Sequence, residues 1–128
     1  MKQVGPYQVL EELARGGQGA VFKAEHASQG TLVAIKLLLD PDLESRARFS
    51  QEAKTLARLR HPNLLRVERL GELPDGTPYL AMEFVSGQDL ADWVRTRGAP
   101  SLEELSGVLG SLAETLHYCH EQGIVHRD

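Results

Sequence analysis

Cysteine is all but missing from this sequence: Cys119 stands alone, so no intrachain disulfide can form. A reducing, cytoplasmic setting is the simplest match to that usage. A surplus of positive charge is missing too. Lys and Arg total 14 against 18 Asp and Glu, for a net charge of −4. That balance argues against nucleic acid or an anionic membrane surface as the main partner. No apolar run is long enough to span a bilayer, and Met1–Pro6 lacks a signal-peptide core. Internal repeats and low-complexity tracts are absent as well. What is present is the composition of a soluble globular protein, 41% hydrophobic and 25% charged over 128 residues. That length is one domain's worth of chain or part of a larger one, and it can bury roughly two-thirds of its unfolded surface.

The organising stretch is LARGGQGAVFKAEHASQGTLVAIK, from Leu13 to Lys36. Gly16, Gly17 and Gly19 open it. Residues 20–26 alternate, Ser28-Gln29-Gly30 turns, and Val33-Ala34-Ile35-Lys36 closes a second apolar run. Two alternating runs about a short polar turn predict an antiparallel hairpin. Glycines ahead of a strand let the backbone approach a ligand and aim N–H groups at phosphate oxygens. A lysine ending the second strand suits the same oxygens. A dinucleotide-binding fingerprint also opens on glycines, but it needs a helix directly after them. Here the period is two, with Val21 and Phe22 in the run, so the hairpin is the better reading.

Elsewhere, Tyr7–Leu13 predicts a first strand. Asp40-Pro41-Asp42 is a helix-start signal, and apolar residues at helical spacing predict a helix over 43–60. His61-Pro62-Asn63 should stop it. Leu64–Gly71 and Pro78–Val85 read as strands about a Pro74-Asp75-Gly76 turn. A short helix is expected around Leu90–Val94. Ser101 with Glu104 forms a capping box, and the helix that follows, over Ser101–Gln122, should end at Gly123. Gly107 and Gly110 cost it about 1 kcal/mol each relative to alanine. A new extended element is expected from Ile124 to Asp128.

In that order, the glycine loop, Val33-Ala34-Ile35-Lys36, a helix bearing Glu52, His61-Pro62-Asn63, Met82-Glu83-Phe84-Val85 and His126-Arg127-Asp128 resemble the protein kinase family. The phrasing is similar to bacterial eukaryotic-like Ser/Thr kinases, and the resemblance runs from Gly5 to Asp128. It implies ATP as cofactor and a protein substrate. It also implies that N–H groups around Gly16, Gly17 and Gly19 cover the phosphates, with Leu13, Val21 and Ala34 over the adenine. Lys36 would contact the α and β phosphates, held by Glu52. Glu83 and Val85 would offer backbone hydrogen bonds to the adenine edge, behind Met82, and Asp89 would reach the ribose. Asp128 would be the catalytic base. His126 would pack in an apolar column with Leu56 and Val67.

The family's first loop glycine is replaced by Ala14, which implies a stiffer loop. The family's Mg²⁺ ligands would follow residue 128, so this chain alone is expected not to transfer phosphate. The rival reading is a non-catalytic interaction module that binds nucleotide weakly or not at all.

Plainer roles stand beside these. Lys36 with Glu52 could be an ordinary ion pair, but a lysine after three apolar strand residues, with the other motifs, favours the functional reading; Asp89 could equally be an ordinary helix cap. His117, Cys119 and His120 do not converge as metal ligands, and no metal site is assigned within the chain. Arg46, Arg48, Arg58, Arg60, Arg66 and Arg69 make no continuous patch and read as solvated faces.

The expected fold is α+β: a kinase-like N-lobe over 1–85, with a five-stranded antiparallel sheet and one long helix, then the first helices of a helical lobe over 86–128. The apolar face of the Ser101–Gln122 helix, left uncovered, is expected to drive self-association into a homo-oligomer.

Overall fold

A computed structural model of the chain describes residues 2–124. The expectations that fall on 125–128, including the roles of His126 and Asp128, lie outside the described residues. The chain divides into two compact units, one built from residues up to Arg58 with Leu65–Phe84, the other from Leu59–Leu64 with the chain from Val85 onward.

The first unit is a sheet in the order β1-β2-β3-β4-β6-β5, antiparallel throughout. Its strands are β1 (Gln3–Val4), β2 (Tyr7–Arg15), β3 (Gly19–His26), β4 (Leu32–Leu38), β5 (Val67–Glu72) and β6 (Pro78–Glu83). The alternation read from the sequence sorts side chains as a pleat requires. Ala20, Phe22 and Ala24 of β3 and Val33, Ile35 and Leu37 of β4 are buried, and they form one core with Val4, Tyr7, Tyr79 and Ala81. Val21, Lys23, Ala34 and Lys36 occupy the opposite face.

The sheet has one strand more than the sequence pattern shows. Strand β1 is two residues long, too short for periodicity to register, and folds back on β2 through Gly5, whose φ is 54°. A Cβ at Gly5 would also strike the Tyr79 hydroxyl. Strand β5 starts at Val67 rather than Leu64. Leu64 N–H is taken by the His61 carbonyl, and Arg66 N–H by the Glu83 carboxylate at 2.9 Å.

Helix α1 (Leu43–Ala57) begins where the acidic cap and proline place it, with Ser45 N–H donating to the Asp42 side chain at 3.2 Å. It ends before Arg60, as Arg58 N–H turns to the Thr55 carbonyl. The helix packs on β5 and β6, and Ala53 is its buried residue.

In the second unit, α2 (Leu90–Arg97) is capped by Asp89 and α3 (Leu102–Glu121) by the Ser101/Glu104 box. Helix α3 closes in a Schellman motif, with Gly123 at φ 79°, its N–H on the His120 carbonyl and Ile124 N–H on that of Cys119. The loop after α1 docks on α3. Arg60 N–H donates to the Tyr118 hydroxyl at 2.9 Å, Asn63 Nδ2 to Thr115 Oγ1 at 3.2 Å, and the His61 ring packs against that of Tyr118. Leu102, at 83% exposure, and Leu109, at 56%, lie on an uncovered apolar face. No helix among the described residues is long and apolar enough to cross a membrane.

Candidate functional site

The glycine loop is a tight link between β2 and β3. Gly16 N–H donates to the Gly19 carbonyl at 2.8 Å, and the Gln18 carbonyl accepts from Leu39 N–H at 2.8 Å, tying the loop tip to the exit of β4. The N–H groups of Gly17 and Gln18 donate to no acceptor among the described residues.

The three glycines differ in what the fold asks of them. A Cβ at Gly19 would sit 2.6 Å from the Leu37 carbonyl oxygen, so the pairing of β3 with β4 excludes a side chain there. At Gly16 and Gly17 a Cβ would meet nothing within 4 Å, and neither has a positive φ. The fold therefore does not require glycine at either position.

This loop roofs a cleft of about 350 Å³ whose other walls are the end of β4 and α1. Lys36 and Glu52 both line it. They do not close into an ion pair within 4.0 Å: among the described residues, Lys36 has no ionic partner.

Register brings further expected residues together. Val21 pairs with Lys36, and Ala34 with Met82, which sets all four on one sheet face. Ala14 pairs with Val21 directly after a register shift, and Leu13 falls in that irregularity between Glu12 and Ala14 and is 43% exposed. Glu83 N–H is committed to the Arg66 carbonyl at 2.9 Å. Val85 and Asp89 belong to the second unit. Val85 is 64% exposed, and Asp89 caps α2 by accepting Asp92 N–H at 2.7 Å through one carboxylate oxygen.

The sequence reading passed over Arg15, Gln18, Ser45, Arg48 and Phe49, which also line the cleft. Arg48 lies one helical turn before Glu52, a spacing that could have flagged it. One of the arginines read as solvated is placed otherwise: the Arg46 guanidinium is folded onto the β5–β6 turn. Arg48 borders the cleft yet stays exposed, ion-paired to Glu44 at 3.7 Å.

Three cations and one carboxylate thus line the cleft, beneath a loop with two uncommitted N–H groups. Where α1 begins, the Asp40 carboxyl is held below its ordinary range, chiefly by Asp42 N–H and then by Ser45. Of the three cations, Arg15 and Arg48 are paired to Glu12 and Glu44, which leaves Lys36 as the one without an ionic partner among the described residues.

The protein kinase domain family matches residues 7–128. Serine/threonine-protein kinase PknE of Mycobacterium bovis is 33% identical over 129 residues, 98% of this chain and 23% of the relative. Pkn1 of Myxococcus xanthus is 36% identical over 129 residues, 97% of this chain and 18% of that protein. The chain therefore spans about a fifth of the length of these curated relatives. The crystal structure of the PknI kinase domain of Mycobacterium tuberculosis superposes with a TM-score of 0.78 at 31% identity, covering 98% of this chain and 52% of that one. With a family match over residues 7–128 and relatives 33% and 36% identical over nearly its whole length, the chain belongs to the protein kinase family and spans part of its domain.

Proposed function

We propose that this chain is the ATP-binding part of a protein serine/threonine kinase, serving transfer of the ATP γ-phosphoryl group to protein hydroxyls. One observation carries the reading: Gln18, whose N–H is uncommitted, and Lys36, which has no ionic partner among the described residues, line one cleft. Gly16, Gly17 and Gly19 lie along the phosphates, and Lys36 meets the α and β oxygens with Glu52 as its partner. Leu13, Val21 and Ala34 cover the adenine. The Glu83 carbonyl and Val85 N–H meet its edge behind Met82, and Asp89 offers its other carboxylate oxygen to the ribose. Asp128 is the base for the substrate hydroxyl. Residues 1–85 make the nucleotide-binding lobe and 86–128 begin the helical one.

ATP, when bound, supplies the transferable phosphoryl group, and the Mg²⁺ that accompanies it neutralises phosphate charge. The described residues bring no three metal-ligating side chains together, so none is assigned to Mg²⁺. A cytoplasmic setting is supported by the single cysteine. The uncovered leucines of α3 support self-association of the isolated chain through the Ser101–Gln122 helix, and a monomeric mass by light scattering at micromolar concentration would exclude it.

Thermal unfolding with ATP tests the site. At tenfold over its dissociation constant, ATP stabilises the folded state by about 1.4 kcal/mol, a few degrees at this size. Lys36→Ala is expected to remove the shift. No shift at millimolar ATP in the unsubstituted chain overturns the reading.

A further inference from the structure

Strand β6 brings the chain to the end of the first unit, and its last residues are held unequally. Glu83 is fastened twice to Arg66. Its N–H donates to the Arg66 carbonyl at 2.9 Å, and its carboxylate accepts the Arg66 N–H at 2.9 Å. It also closes the ladder with β4, opposite Val33. Phe84 lies one residue past that ladder, and its backbone makes no hydrogen bond among the described residues. The contact that reaches it comes from β3. The Lys23 ammonium rests over the Phe84 ring, 4.8 Å from its centroid, well inside the distance at which an aromatic face attracts a cation.

That contact is not between neighbouring strands. β4 runs between β3 and β6, so the two side chains meet across two strand spacings, about 10 Å. The β4 residue opposite Lys23 is Ala34, whose methyl group leaves room above the strand. Lys23 also forgoes nearer partners. Glu11 stands opposite it on β2, and Glu25 follows two residues on along the same face. Opposite charges across a ladder attract, yet Lys23 forms no ion pair within 4.0 Å among the described residues. Both Lys23 and Phe84 are half-buried. Along β3, Lys23 lies beyond Val21 from the glycine loop, which sets its charge apart from the loop N–H groups.

We propose that Lys23 is a positioning residue for the nucleobase: its ammonium clamps the Phe84 ring and so fixes the end of β6, where Glu83 and Val85 flank Phe84 in the chain. The consequence for the base rests on the function proposed above, whereas the clamp itself does not. Adenosine, ATP and inorganic tripolyphosphate, each titrated into the whole 128-residue chain, separate the base end of the nucleotide from the phosphate end. Lys23→Met keeps a long apolar stem and removes the charge, so it isolates the cation from the packing around it.

Lys23→Met is expected to weaken adenosine and ATP about two- to fivefold, the range set by a cation on an aromatic ring, and to leave tripolyphosphate unchanged. Lys23→Arg, which keeps a cation for the ring, should restore both. In a Phe84→Leu background Lys23→Met should change nothing further, in affinity or in the urea midpoint, because the clamp is already gone. Unchanged adenosine and ATP affinity in Lys23→Met overturns the inference. So does an equal loss of tripolyphosphate, or a loss that persists in full with Phe84→Leu. Should the unsubstituted chain bind none of the three ligands, the function proposed above fails and unfolding alone judges the clamp: non-additive losses for Lys23→Met and Phe84→Leu uphold it, and additive losses overturn it.

Discussion

Gly19 and Leu37 approach so closely across β3 and β4 that a Cβ on the glycine would lie 2.6 Å from the leucine carbonyl oxygen. The obstacle is backbone in a paired strand, not the tip of a side chain that could turn aside. Gly19→Ala must push the two strands apart beneath the loop. We expect a loss of about 1–3 kcal/mol, the usual cost of overpacking. Urea unfolding checks it, through a lower midpoint at unchanged slope.

Gly16 and Gly17 should behave in the opposite way. With open space around each Cβ position and no positive φ, alanine stiffens the unfolded chain without straining the folded one. Gly16→Ala and Gly17→Ala are expected to hold or raise stability by about 0.4–1 kcal/mol. Both should weaken ATP, because a methyl group keeps phosphate oxygens from the loop N–H groups. Titration of each variant with ATP, beside its unfolding curve, gives both readings. Destabilised variants with unimpaired ATP affinity would reverse the assignment.

Much of this was legible from local pattern. Alternation gave β3 and β4 and set Ala34 and Lys36 on one face. Asp42, Asp89 and Ser101 cap the helices they precede, because a cap is decided by a few neighbouring residues. What escaped the sequence is made between distant residues. Arg46 finds its acceptors 29 and 31 positions away, and no local spacing signals that. The start of β5 depends on Glu83 taking the Arg66 N–H. The sequence could bring Lys36 and Glu52 to one cleft, but whether they touch is set by how α1 rests on β5 and β6.

Helix α3 carries two glycines that nothing in the described fold requires. A Cβ at Gly107 or Gly110 would meet no atom within 4 Å, and both lie in the helix interior. Glycine there costs about 1 kcal/mol relative to alanine. Gly107→Ala and Gly110→Ala should therefore each raise stability by about that amount, read from urea midpoints of the isolated chain. A loss of stability instead would mean that another surface packs against these positions.

The start of α3 should lose stability in acid through Glu104. Its carboxyl is held below the ordinary 4.5 by the Ser101 backbone N–H first, then by the Ser101 side chain, with Arg97 nearby adding to both. The two capping bonds measure 3.2 Å for Ser101 N–H to the carboxylate and 3.1 Å for Glu104 N–H to the serine hydroxyl. A carboxyl whose folded pKa is depressed binds its proton more weakly in the folded state than in the unfolded one. Its stabilisation is whole above the unfolded value and drains away as pH falls through the folded one. Glu104→Gln keeps an oxygen that can accept from Ser101 N–H, yet it has no proton to gain. Asp40 and Asp75 are also depressed, and they tilt both proteins alike. Urea midpoints from about pH 6 to about pH 3 should therefore fall more steeply for the unsubstituted chain than for Glu104→Gln. Parallel curves would mean that the charge on Glu104 adds nothing to the cap.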